Sequence, residues 1–161
     1  MQEGNVKEAA AIFKLNTMAF PKSANVYNSY AEALMALGNK TEAIENYKQS
    51  VKLNPGNENG IKILKDNGIK TDDLIKKVPI EYLKLLEGEY VNADNKEWKI
   101  KFIVTEGVLY GNDNGYRYKV LPVGEGEFVN PDDGASFVFD TKDKHAITMV
   151  VFGRFTFRKV I

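Results

Sequence analysis

From about residue 5 to residue 67 the apolar positions recur at helical spacing, and from Gly88 onward they alternate in twos. Val26, Tyr27, Tyr30, Ala33, Leu34 and Leu37 lie on one helical face. Ala43, Ile44, Tyr47, Val51 and Leu53 lie on another. Gly38 separates the two runs and Pro55 ends the second, which predicts an antiparallel helical hairpin. A helix precedes it (Asn5 to Phe20) and another follows (Asn57 to Asn67). Thr71-Asp72-Asp73 reads as an N-cap with acids in the first turn, predicting a short helix to about Lys77. Pro79 breaks it. Ile80 to Leu86 is expected to form one or two more helical turns, with Tyr82, Leu83, Leu85 and Leu86 free to pack.

The period then changes. Trp98, Ile100, Phe102 and Val104 alternate with Lys99, Lys101 and Ile103. Tyr116, Tyr118 and Val120 alternate with Arg117 and Lys119, and Phe155 and Phe157 with Arg154, Thr156 and Arg158. Turn signals fall at Asn95-Lys96, Glu106-Gly107, Asn114-Gly115, Gly124-Glu125-Gly126, Asp132-Asp133-Gly134 and Lys142-Asp143-Lys144. Asn-Gly is the strongest of them, since a type I′ hairpin needs positive φ at both central residues. The reading is about eight short strands in a meander closing toward a barrel or half-barrel. The fold class is therefore α+β, with a helical domain over 1–78 and a β domain over 79–161.

The helical part is internally repeated. Gly4, Asn5, Glu8, Ala9, Phe13 and Pro21 recur as Gly38, Asn39, Glu42, Ala43, Tyr47 and Pro55, each 34 residues on. Asn39 with Glu42 has the spacing of a capping box. Tyr27, Tyr30, Ala31, Leu34, Gly38, Ala43, Tyr47, Ser50 and Pro55 make residues 4–67 resemble the tetratricopeptide repeat. Lys40 and Ser50 depart from it, standing where that family often has an aromatic residue and Ala. Repeats of this kind bury their cores by stacking. A chain that begins on the second helix of a repeat is thus expected to continue N-terminally.

Residues 82–161 resemble a second family, the small lipocalin-like domain that follows beta-lactamase-related serine hydrolases in bacteria. The carriers are Tyr82-Leu83, Gly88-Glu89-Tyr90, Gly107-Val108-Leu109-Tyr110, Leu121-Pro122, Phe128, Phe137-Val138-Phe139 and Phe157-Arg158-Lys159. The resemblance implies an accessory role, an N-terminal catalytic domain on the same polypeptide, and a periplasmic or extracellular setting.

Composition narrows the chemistry. Lys plus Arg equals Asp plus Glu at 22 each. That balance argues against an electrostatic grip on nucleic acid. Cysteine is absent, so no disulfide or thiolate metal site is possible. No apolar run approaches the ~20 residues of a membrane span. The single histidine, His145, sits at a turn, and neither S-x-x-K nor G-x-S-x-G occurs. Asn112-Asp113-Asn114-Gly115 and Asn130-Pro131-Asp132-Asp133-Gly134 lack the EF-hand spacing and read as turns. No catalytic residue, cofactor or metal ligand is therefore assigned.

Binding is the better expectation. Tetratricopeptide arrays bind peptides along the first helix of each repeat, and that face would here present Asn25, Asn28, Glu32 and Met35. Glu32 stands where a basic clamp for a C-terminal carboxylate would be needed. The leading reading is a non-catalytic accessory region of a larger bacterial beta-lactamase-related hydrolase, acting in protein interaction or substrate access. The alternatives are an independent adaptor for a peptide or protein, and a carrier of a small apolar ligand in the β domain. Thirteen of the eighteen aromatic residues follow Pro79, which suits either a compact core or an aromatic-lined mouth.

Overall fold

The computed structural model describes residues 3–160; residues 1, 2 and 161, at the outer limits of the two expected domains, lie outside them. The chain forms two compact units, residues 1–75 and 76–161.

The first unit holds helices α1 (Glu3–Ala19), α2 (Ala24–Ala36), α3 (Lys40–Leu53) and α4 (Glu58–Asp66). The α2–α3 turn is a Schellman motif. Gly38 takes φ +78°, its N–H donates to Met35 O at 3.0 Å, and Asn39 N–H donates to Leu34 O at 2.9 Å. Ala10 of α1, Tyr30 and Leu34 of α2 and Ala43 of α3 form one buried cluster. Ala31, Ile44, Tyr47, Val51 and Leu64 form the next, so Tyr47 fills the space between successive hairpins as its repeat position predicts.

Two sequence expectations need correction here. Asn39 makes no capping hydrogen bond through its side chain. Its expected partner Glu42 instead accepts the Tyr30 hydroxyl at 2.8 Å, so the tertiary contact displaces the capping box. Residues 72–75 make a turn closed by Leu74 N–H to Thr71 O at 3.0 Å, and no helix forms there. Leu74 and Ile75 pack on the Leu64 cluster, which pulls the segment away from a regular helix.

In the second unit α5 (Ile80–Leu86) leads into β1 (Gly88–Asn92), β2 (Lys99–Thr105), β3 (Val108–Asp113), β4 (Tyr116–Pro122), β5 (Glu127–Val129), β6 (Ser136–Asp140), β7 (Thr148–Val151) and β8 (Phe155–Lys159). Each strand pairs antiparallel with the next, and β8 returns to β1 (Tyr90 opposite Lys159). The barrel is thus fully closed and leaves no free sheet edge. Alternation along β2 places Ile100 and Phe102 inside and the lysines outside. Edge-to-face rings fill the centre: Phe102 lies 5.5 Å from Tyr90 and 5.3 Å from Phe139, and Phe128 lies 5.6 Å from Phe139.

Strict up-and-down connectivity sorts the loops. Those after β2, β4 and β6 share the rim where β1 begins. Leu83 and Leu86 of α5 are buried against the core from the chain just before β1. The Glu87 carboxylate accepts Val104 N–H at 2.7 Å, and the Lys159 ammonium donates to Leu85 O at 2.8 Å. The loops after β1, β3, β5 and β7 share the opposite rim. The β7–β8 turn gave no sequence signal beyond one glycine. Phe152 and Gly153 both take positive φ (53° and 68°), and Arg154 N–H closes the turn on Val151 O at 3.1 Å. Phe152 is 55% exposed there. A bulky residue in this conformation costs about 1–2 kcal/mol, with little burial to offset it.

Several tyrosines are held protonated. Burial, then the Glu42 hydrogen bond, pushes Tyr30 from 10.0 up to about 12. Burial, then the Glu32 charge, does the same to Tyr47. Burial raises Tyr90 and Tyr118 further. A phenol with a folded-state value above its unfolded one stabilises the fold fully below the unfolded value and loses that contribution as pH rises past it. The urea midpoint should therefore hold from about pH 7 to about pH 9 and fall progressively from about pH 10 to pH 12. A midpoint flat across that alkaline window would contradict the assignment.

Candidate functional site

The expected groove residues divide in the structure. Asn28 and Glu32, one turn apart on α2, are joined directly, with Asn28 Nδ2 donating to Glu32 Oε1 at 2.8 Å. Asn25 is exposed on the same helix. Met35 is half-buried and packs into both helical clusters, so it belongs to the seam between them more than to a binding face.

Three residues that the sequence did not assign to the groove complete the arrangement. Asn57 caps α4 by accepting Gly60 N–H at 3.0 Å on Oδ1. Its Nδ2 donates to Asn28 Oδ1 at 2.9 Å and to Ser50 Oγ at 2.8 Å. Ser50 is fully buried and donates to Ala24 O at 2.9 Å, which explains a hydroxyl where the family often has Ala. Asn59 Nδ2 reaches Glu32 Oε1 at 3.0 Å from α4. One signal was available: Asn59 is the 34-residue counterpart of Asn25, so the same groove position recurs on the next helix. The result is a continuous polar line from the start of α2, through buried Ser50, across the cap of α4, to an exposed carboxylate. None of its side chains is basic.

The barrel carries a second feature. At the rim opposite α5 lies a cavity of about 300 Å³, walled by Trp98, Tyr116, Tyr118, Phe137 and Phe152. Tyr118 stacks on Phe137 with centroids 5.8 Å apart, and Tyr116 lies 5.9 Å from Tyr118. Asp113 and Asp133 also line it. The Trp98 indole donates to Asp113 Oδ2 at 3.1 Å, while Asp113 Oδ1 is buried with no hydrogen-bond partner among the described residues. Gly111 permits this wall, because a Cβ there would sit 2.5 Å from the Tyr118 ring.

The Asn/Asp clusters do act as turns. Asn112 Oδ1 accepts Gly115 N–H at 3.0 Å, Asn130 Oδ1 accepts Asp132 N–H at 3.0 Å, and Asp133 Oδ1 accepts Ala135 N–H at 2.8 Å. His145 is exposed at its turn, with its backbone N–H on Asp143 Oδ1 at 2.9 Å. Among the described residues, no three His, Cys, Asp or Glu side chains gather as a metal site would require, and no helix is long and apolar enough to cross a membrane.

Comparison with known proteins supports one part of this picture. The tetratricopeptide repeat family matches residues 24–57, which spans α2, α3 and the residues up to the α4 cap. This stretch is a tetratricopeptide repeat, a fold unit that points to protein–protein interaction. No curated protein and no solved structure matches the chain significantly.

Proposed function

We propose that the helical unit docks a peptide-like segment of a protein partner along α2 and the start of α4, and that the chain is a non-catalytic accessory module. The hydrogen-bonded line through Asn57, Asn28, Glu32 and Asn59 carries this reading. It fixes an amide and a carboxylate in place, so a partner need not supply the ordering entropy of those side chains. Asn28 retains one N–H and Glu32 its other carboxylate oxygen for a ligand. That donor and acceptor pair suits the backbone of an extended segment. Glu32 favours a basic side chain in the segment and disfavours a terminal carboxylate.

Selection of a displayed peptide library on the full chain tests the reading. Internal segments bearing Lys or Arg should be enriched. The Asn28→Ala, Glu32→Ala double variant should bind them at least about tenfold more weakly, about 1.4 kcal/mol. Equal binding by a folded double variant would remove the groove from consideration.

The hydrolase setting rests on the lipocalin-like resemblance of the β unit, and that resemblance is supported by where its residues fall. Gly88-Glu89-Tyr90 opens β1, Gly107 precedes β3, Leu121-Pro122 ends β4, and Phe137-Val138-Phe139 lies in β6. In this reading the chain serves a catalytic domain on the same polypeptide. Antibody capture of the native product and its mass test that separately. A mass well above 18.1 kDa supports it, and a mass of 18.1 kDa leaves the independent adaptor.

A further inference from the structure

We infer that the open rim of the barrel is a binding site for a small organic ammonium compound with an apolar body. The cavity has room for roughly ten water molecules, the scale of one aromatic or branched aliphatic amine. Four features converge on that ligand class.

The walls are largely aromatic rings, contributed by Trp98, Tyr116, Tyr118, Phe137 and Phe152. Aromatic rings hold apolar groups, and their faces attract cations through the ring quadrupole. Both charged residues lining the cavity, Asp113 and Asp133, are acidic, and no Lys or Arg lines it. Their fields meet at the Tyr118 phenol, whose protonated form they favour after burial has done so.

The Asp113 carboxylate is the third feature. Among the described residues its one hydrogen-bond donor is the neutral Trp98 indole, and its other oxygen is buried with no partner among them. A carboxylate oxygen shut off from water without a donor is unfavourable, and an ammonium group seated in the cavity supplies one. The fourth feature is Phe152. Its left-handed backbone is unfavourable for a large side chain, and the ring is mostly outside the barrel core. Asn-Gly would make the same turn with less strain. Folding alone does not account for Phe152, whereas a wall of the site does.

The features come from three places on one rim: Asp113 at the end of β3, Asp133 in the β5–β6 loop and Phe152 in the β7–β8 turn. Up-and-down connectivity in the curled sheet brings them together.

The test is titration of the full chain with 2-phenylethylammonium, 2-phenylethanol and phenylacetate, read by calorimetry and by the fluorescence of Trp98, the one tryptophan. The ammonium compound should bind saturably at one equivalent and at least tenfold tighter than the alcohol, and phenylacetate should not bind. Asp113→Asn keeps an acceptor for the indole and removes the uncompensated charge. It should melt no lower than the parent protein and lose the preference for ammonium over alcohol. Phe152→Asn, placed where the turn favours Asn, should fold and weaken both ligands. Equal affinity for ammonium and alcohol would overturn the inference in favour of a merely apolar pocket. Absence of saturable ammonium binding, or an undiminished preference in folded Asp113→Asn, would overturn it outright.

Discussion

Phe102→Ala is expected to destabilise the barrel by about 3–5 kcal/mol. Phe102 is fully buried at mid-strand in β2, with Gly88 and Gly111 as its cross-strand neighbours. Two glycine neighbours leave the ring itself to fill that layer. Its edge-to-face partners are Tyr90, Phe137 and Phe139, at 5.5, 5.9 and 5.3 Å. Those rings are held by their own strands and cannot collapse into the vacated space, so the cavity term is added to the lost transfer energy. A unit of this size has a total stability of about 4–13 kcal/mol, so the variant falls near the threshold of folding. Guanidinium unfolding followed through Trp98 reads the barrel directly, because that indole packs 5.0 Å from both Phe155 and Phe157. A loss below about 1 kcal/mol would mean that the centre of the barrel is not packed as described.

Gly126→Ala should cost about 2–5 kcal/mol from two separable sources. Gly126 takes φ +69°, where a side chain is strained. An added Cβ would also lie 2.7 Å from the Phe139 carbonyl oxygen, a backbone atom that cannot step aside. The same loop is tied to β6, since Phe139 N–H donates to Gly126 O at 2.8 Å, so moving the loop breaks a ladder-like hydrogen bond. Gly107→Ala provides the control. Its φ is +75°, with nothing within 4 Å of the added Cβ, so it should show the strain alone, about 1–2 kcal/mol. Denaturation curves of the two variants should therefore differ by the steric contribution. Equal losses would place Gly126 farther from β6 than the structure does.

Part of the protein is legible in the sequence. The 34-residue recurrence from Gly4 to Pro55 fixed the helices of the first unit, because capping and close packing are local demands that leave local residues. Gly38 sits at positive φ, Ala43 is fully buried, and Asn57 caps the next helix, each as its position in the repeat required. The alternation around Phe102 and the turns at Glu106-Gly107 and Asn114-Gly115 likewise marked the strands and their hairpins. Asn28 and Glu32 were assigned to one face through the tetratricopeptide resemblance, and their hydrogen bond one turn apart on α2 agrees with it.

Tertiary structure decided the remainder. Closure of the barrel depends on β8 meeting β1 across nearly the whole unit, a non-local pairing that no local pattern records. Glu42 turned to Tyr30 rather than to its own helix terminus, since a partner across the hairpin outcompeted a local one. The aromatic residues proved to serve two ends at once, with Phe102, Phe128 and Phe139 in the core and Trp98, Tyr116 and Phe152 around a rim. Asp113 and Asp133 read in sequence as turn formers; Asp133 is one, whereas Asp113 ends β3 and turns its carboxylate to the Trp98 indole, leaving the turn to Asn112. Their convergence on one cavity follows from up-and-down connectivity, which brings alternate strand ends and loops to the same end. Spacing along the chain specifies which residues share a helix or a strand face. Which faces then meet depends on distant segments packing together, and that is where both candidate sites arise.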